Sequence, residues 1–334
     1  MKKFLTLFLT FVLCLSSFTI FGCKQPEKDK VNMMYYADAS EILPLIMAGK
    51  ETVGLIPEPA ATTLTKNAQK KGKTIYRLDL QELYDGVEKA YPQAVLMVKK
   101  SVINAHPNLL ENLQNKITES VVWAKENVSG VVSTIGNKIA TTLDANTLSA
   151  DVIDACKIYW QSAEQAKNSV KKYIDSIIEI DSEKATAVSD DFFYTPSSGS
   201  NNKTSYKFVM PDGAPAIAMS KLMKDGDNLS TDKIIEYEVI TAKLIQTYLS
   251  SGTADFVLAP VNLASKLYKA HDKDDQYVMA AVITHGNFYI MSTEQITIND
   301  LAGKQIAVPM KGAVPDWTLK MVLKKHKLSY STVE

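Results

Sequence analysis

Asp300-Leu301-Ala302-Gly303-Lys304-Gln305-Ile306-Ala307-Val308-Pro309 reads as a short strand that enters a lobe of an α/β protein. A turn over 310–316 and a helix over 317–325 follow it. The chain then ends in Thr332-Val333-Glu334, which has the character of the first half of a strand. Val31-Asn32-Met33-Met34-Tyr35-Tyr36-Ala37-Asp38 has the character of the second half. Joined, the two would give one unbroken strand, T-V-E-V-N-M-M-Y-Y-A-D. Left apart, they can still pair side by side in one sheet.

Outward from this stretch, short apolar strands alternate with helical patterns. Strands are expected at 31–37, 53–56, 75–80 and 94–98. Ser40 can cap the first helix, with Glu41 in its first turn and Gly49 just past its end. Pro44 lies early in that helix, where a missing N–H costs little. The same alternation restarts at 208–210 and continues through strands at 234–240, 254–260, 278–284 and 288–292. Such alternation is the pattern of parallel α/β sheets. Residues 105–194 differ: they read as a helical block, with helices near 148–161, 163–178 and 182–190. Thr195-Pro196-Ser197-Ser198-Gly199-Ser200-Asn201-Asn202-Lys203 has the composition of a linker.

The first 23 residues read as a secretory signal: Lys2 and Lys3, an apolar run over 4–21, then Gly22-Cys23. The small residue before Cys23 resembles a bacterial lipoprotein signal, which makes Cys23 the expected lipidation site. A retained membrane-anchor helix is the alternative, since the run is just long enough to span. The polar tether 24–30 favours the lipoprotein. Both place the globular part outside the cytoplasmic membrane. The chain carries 37 basic and 37 acidic residues. That balance leaves no electrostatic footprint for nucleic acid. Of its cysteines, Cys14 and Cys23 fall in the signal, and Cys156 is read as a buried structural thiol within a helix. Neither a disulfide framework nor a cysteine metal motif is present.

Five segments carry a family resemblance: M-P-D-G-A-P-A-I-A (210–218), S-G-T-A-D-F-V-L-A-P (251–260), D-L-A-G-K-Q-I-A-V-P (300–309), Y-A-D-A-S-E-I-L-P-L-I-M-A-G-K (36–50) and V-G-L-I-P-E-P-A (53–60). Together they resemble extracytoplasmic solute-binding proteins of ABC importers, in the group serving nitrate, taurine, alkanesulfonate and thiamine-pyrimidine uptake. Residues 189–194 look like that family's C-terminal end. Family members would run 204–334 and then 31–196, so this chain looks circularly permuted, with 195–203 tying the old end to the old beginning. Permutation is tolerated where old termini lie close together.

The resemblance implies a two-lobed periplasmic-binding-protein fold of type II, with a mostly parallel sheet in each lobe and two crossing strands as hinge. One lobe would be split, 31–97 plus 294–334. The other would be nearly continuous, 98–293, and would include the block 105–194 and the linker. The crossings are expected near 97–100 and 291–296. It also implies a monomer that captures a small molecule between its lobes and delivers it to an ABC permease and its ATPase, with no cofactor and no catalytic or metal site.

Ligands of open parallel sheets bind beyond the carboxyl ends of the strands. Asp212 follows such a strand and can hold a ligand amine or hydroxyl, or cap a helix; Asn262 shares that ambiguity. Gly213 and Gly312 let the backbone approach closely. His285 and Asn287 lie in a short turn expected to face the cleft. Trp317 can stack on a flat ligand or pack in the core. Tyr36 is preferred to Tyr35 because Asp38 shares its side of the strand. Glu58, between two prolines, can bond the ligand, latch the lobes or sit in a surface turn. The loops hold carboxylates and aromatics but no arginine, whereas carboxylate and sulfonate binders often use arginine forks. A flat, neutral or amine-bearing ligand such as an aminopyrimidine is therefore preferred to a small anion, although helix N-termini also bind anions. Two other readings stay open: an enzyme of the same bilobal fold acting on a pyrimidine-like substrate, and a surface lipoprotein or engineered permutant that no longer binds.

Overall fold

A computed structural model of the chain describes residues 27–84, 90–272 and 275–333. The signal, Cys23 and Glu334 lie outside the described residues. Among those described, no helix is long and apolar enough to cross a membrane.

Twelve strands are described: β1 Val31–Tyr36, β2 Val53–Pro57, β3 Tyr76–Asp79, β4 Pro92–Lys99, β5 Ile158–Ser162, β6 Ser205–Pro211, β7 Ile234–Ile240, β8 Phe256–Pro260, β9 Tyr277–His285, β10 Phe288–Ser292, β11 Gln305–Pro309 and β12 Tyr330–Val333. They form two six-stranded sheets, β12-β1-β11-β2-β10-β3 and β5-β9-β4-β8-β6-β7. The first belongs to a split lobe, built from both ends of the chain. The second belongs to a continuous lobe. Pairing is parallel across β12, β1, β11 and β2, and across β7, β6 and β8. Strands β4, β9 and β10 pair antiparallel to their neighbours. β4 and β10, the strands that follow the interlobe crossings, run through their sheets opposite to the βαβ units, whereas β9 runs with β8 and β6.

Each crossing comes before or after a strand rather than within it. One falls at Gly286-Asn287, between β9 in one sheet and β10 in the other. The other falls between Leu83 at the end of a short helix and Pro92 at the start of β4. Both differ from the expected positions near 97–100 and 291–296. All of β4 lies in the continuous lobe and all of β10 in the split lobe, which moves the lobe boundaries to these crossings. The reason is that β4 and β10 are buried on both faces. Such strands show a continuous apolar run that identifies a strand but not its sheet.

Strands β12 and β1 lie side by side and parallel, with Val31 opposite Tyr330 and Met34 opposite Val333. The Asn32 side chain accepts from Ser331 Oγ at 3.0 Å. Pairing sideways forms a ladder of backbone hydrogen bonds, which an end-to-end abutment would not.

The block 105–194 contains a strand that the helical reading missed. Helix Ala150–Ala155 ends before Cys156, Lys157 has φ 51°, and β5 follows at the edge of the continuous lobe's sheet. Ile158, Tyr159 and Trp160 are β-branched or aromatic and suit a half-buried edge. Cys156 is fully buried, as read, and burial pushes its thiol pKa up. Helix Ala163–Ile180 starts from a capping box of Ser162 and Gln165. In place of the short helix at 182–190 there is only a 3₁₀ turn, Asp190–Phe192. The linker is tacked to the continuous lobe by Gly199 N–H donating to the Asn104 carbonyl at 3.0 Å.

One apolar cluster runs through both lobes, from Val31, Met33 and Leu55 to Val95, Val257 and Met279. Helix Ala163–Ile180 contributes to it, and its Tyr173 hydroxyl meets Thr318 Oγ1 on the split lobe's helix Val314–Lys325 at 2.7 Å.

Candidate functional site

The carboxyl ends of the parallel strands of both lobes meet across a cleft. Four of them end in proline: Pro57 of β2, Pro309 of β11, Pro211 of β6 and Pro260 of β8. All four line one cavity of about 150 Å³. Proline suits a strand end, because its missing N–H would interrupt a ladder further inside. A second cavity of about 240 Å³ lies beside it, and both are walled by Ala39, Pro57, Glu58, Asp212, Gly213, Ala242 and Met310. Met310 has φ 55°, an uncommon conformation for a residue with a side chain, as is frequent in ligand clamps.

Asp212 lies between the two cavities. Its Oδ1 accepts from Thr141 Oγ1 at 3.0 Å and from the Gly213 N–H at 2.7 Å. Its Oδ2 has no partner among the described residues. It does not cap the next helix; Gly213 holds the cap position, with φ 93° and no side-chain bond. Asn287 is 1% exposed and lines the smaller cavity. Its Nδ2 points toward the Glu58 and Cys156 carbonyls, each at 3.4 Å, and its Oδ1 is buried without a partner among the described residues. Asp38 borders the larger cavity and caps helix Ala39–Ala48 through Ser40 N–H at 2.7 Å.

Glu58 also lines both cavities, but its carboxylate is already engaged. It accepts from Thr62 N and Oγ1 at 3.0 and 2.9 Å, and it pairs with Arg77. The Arg77 guanidinium in turn lies 4.0 Å over the Tyr289 ring. The chain's sole arginine thus neutralises a buried acid at the cleft wall.

The remaining expected residues turn elsewhere. Tyr36 donates to Glu51 Oε1 at 2.6 Å, away from both cavities. Asn262 donates to the Gly312 carbonyl across the lobes at 3.1 Å. That carbonyl also accepts from Trp317 Nε1 at 2.8 Å, and Trp317 is packed in the core. His285 stacks on Tyr159 with ring centres 3.6 Å apart and contacts Gln161 Oε1 at 3.2 Å through Nε2. It belongs to the junction of β5 and β9 rather than to the cleft. Gln161 lies 124 residues from His285 in the chain, and Gly312 meets Asn262 across the lobes, separations at which local pattern carries no signal.

Burial lowers the His285 pKa to about 4, so it is neutral at pH 7. The unfolded chain takes up this proton near the ordinary value of 6.5. Stability is therefore expected to fall as pH drops from 6.5 toward 4 and to lose no more from this residue below that, about 3 kcal/mol in all. Urea unfolding of the wild type and His285→Gln at pH 7 and 4.5 checks this. Equal acid sensitivity in the two would refute it.

Gln93, Thr141, Thr284 and Phe288 were missed by sequence reasoning. Gln93, Thr284 and Phe288 line the smaller cavity. The one available signal was a polar Gln93 opening an otherwise apolar strand. Among the described residues no group of histidine, cysteine and acidic side chains could hold a metal ion.

No family model matches the chain, and no curated protein matches its sequence. Among solved structures it is similar to NikA from Brucella suis in complex with Fe(III)-EDTA, at 9% identity over 80% of this chain and 58% of that one, TM-score 0.30. It is similar to the mannohexaose-bound periplasmic oligopeptide-binding protein of Thermotoga maritima, at 11% identity over 85% and 59%, TM-score 0.32. A periplasmic EDTA-binding protein, EppA, gives 12% identity over 86% and 56%, TM-score 0.33. The chain thus spans less than two thirds of the length of each. Superpositions this loose carry no argument, and the two-lobed description rests on the two sheets.

Proposed function

We propose that this chain is a solute-binding protein of an ABC importer, which encloses a small molecule between its lobes and presents it to the permease and its ATPase. In this reading it works outside the cytoplasmic membrane, tethered by lipid at Cys23. Its order is a circular permutation of the nitrate, taurine and thiamine-pyrimidine group, and the sideways pairing of β12 with β1 is consistent with that cut. The observation that carries the functional reading is a cavity walled by strand ends of both lobes. Its volume lies below the roughly 300–1,000 Å³ of drug-sized sites, which suits a small solute.

Hydrogen bonds join the lobes at the rim of the cleft. Thr63 Oγ1 meets Thr147 Oγ1 at 2.9 Å, and Lys66 Nζ donates to the Thr147 carbonyl at 2.8 Å. Thr147 is 1% exposed and sits on the loop between the helices Val128–Gly136 and Ala150–Ala155 of the continuous lobe. Ligand-coupled closure requires contacts that exist in one state only. Thr147→Val with Lys66→Met removes both bonds and is therefore expected to open the lobes and weaken ligand binding about thirtyfold, since each lost hydrogen bond contributes roughly 1 kcal/mol. Small-angle scattering with and without ligand, beside a thermal-shift titration, checks this. A wild type in which no member of a broad solute panel shifts Tm or scattering would argue against capture.

A further inference from the structure

Resting on that reading, we infer that the cleft selects a small cation bearing N–H donors, an ammonium or amidinium, and not an anion. The wall offers acceptors and few donors. No lysine or arginine lines either cavity among the described residues. Pro57, Pro211, Pro260 and Pro309 have no N–H to give. Helices Ala214–Ala218 and Val314–Lys325, which start at the cleft, each carry a proline in the first turn, Pro215 and Pro315. That removes a donor from the place where an anion would be received. Four further wall amides are engaged within the protein: Asp212 N to the Ile240 carbonyl, Gly213 N to Asp212 Oδ1, Met310 N to the Tyr36 carbonyl, and Ala313 N to the Met310 carbonyl.

The acceptors are free. Asn287 Oδ1 is buried and unpartnered among the described residues. Its orientation is decided by chemistry, because turning the amide over would set its oxygen against the Glu58 and Cys156 carbonyls. A buried acceptor left unmatched loses its solvation without return, and a ligand N–H would recover that loss. Asp212 adds a carboxylate oxygen with no protein donor, and Arg77 is tied to Glu58 and cannot neutralise it. Gln93 also ends in this cavity with its Oε1 unpartnered. No partner holds its amide, so it can present either group to the ligand. Phe288 and the prolines give the rest of the wall an apolar surface that suits a ring or short alkyl body.

The test is a thermal-shift and calorimetric titration of the full chain with benzylamine and benzamidine as cations, 4-aminopyrimidine as a largely neutral donor, and nitrate, methanesulfonate and benzoate as anions. Wild type, Asp212→Asn and Asn287→Ser are compared. Asp212→Asn keeps an oxygen for Thr141 and Gly213 while removing the charge. The expected result is that the cations raise Tm, that the anions do not, and that each variant binds the cations at least tenfold more weakly. If only anions shift Tm, the inference is overturned while capture in the cleft stands. Binding by 4-aminopyrimidine alone, unchanged in Asp212→Asn, also overturns it. A wild type that no compound shifts counts against both readings. Circular dichroism of the unliganded variants separates lost binding from lost folding.

Discussion

Gly286→Ala is expected to destabilise the protein by about 3 kcal/mol, the upper end of overpacking costs. Gly286 lies at the crossing between β9 and β10. A Cβ there would stand 2.5 Å from Cε1 and Cζ of Tyr91. The ring has no easy retreat: it is fully buried, stacked between Tyr173 and Phe288 with centres 5.9 and 6.2 Å away. Its hydroxyl donates to Gln81 Oε1 at 2.7 Å. Gln81 in turn receives the Phe288 N–H and donates to the Phe288 carbonyl, at 3.0 and 3.1 Å. One methyl group would therefore displace an aromatic stack and a hydrogen-bonded node that joins both crossings. The urea midpoint should fall with little change in slope, the mark of lost stability rather than a changed unfolded state. A loss under about 1 kcal/mol would mean that Tyr91 yields, and that the crossing is softer than its packing indicates.

Trp317→Ala should cost still more, about 3–5 kcal/mol, as for other large buried aromatics. Trp317 is 2% exposed and packs in the cluster shared by the lobes. Its indole N–H holds the Gly312 carbonyl, which also receives Asn262 from the other lobe. Lys320 Nζ lies 4.3 Å over the ring and pairs with Asp316, which is fully buried and also accepts from Tyr35 and the Gly312 N–H. Removing the ring leaves a cavity and loosens this network. Trp317→Phe retains most of the apolar contact but not the N–H, so it should cost clearly less. Equal losses in the two variants would show that the hydrogen bond, rather than the ring, carries the effect. If Trp317 instead stacked on the ligand, both variants would lose binding at unchanged stability.

Much of the fold was legible because it is local. Val53-Gly54-Leu55-Ile56 and Phe256-Val257-Leu258-Ala259 each read as a buried strand before a proline, and each is one. Gly49 was read as a helix stop and has φ 73°. Asp212 and Asn287 were singled out from position, as polar residues just past strand ends, and both line the smaller cavity. Lys157 was not: nothing in a Cys-Lys-Ile run announces a left-handed residue, so β5 was read as helix.

What the sequence alone determined was the alternation of strands and helices outside the block 105–194, and a buried thiol at Cys156. Each follows from periodicity, turn chemistry and side-chain polarity within a short window. What only the tertiary structure decided was where the chain changes lobes and which polar groups are left for a ligand. Tyr36, Asn262 and His285 turn to protein partners, Glu58 is matched by Arg77, and the Asn287 oxygen is matched by none of the described residues. Those outcomes depend on pairings across both lobes. A hydrogen bond needs its partner within about 3 Å in space at any separation along the chain, and that distance is set only when the two sheets come together.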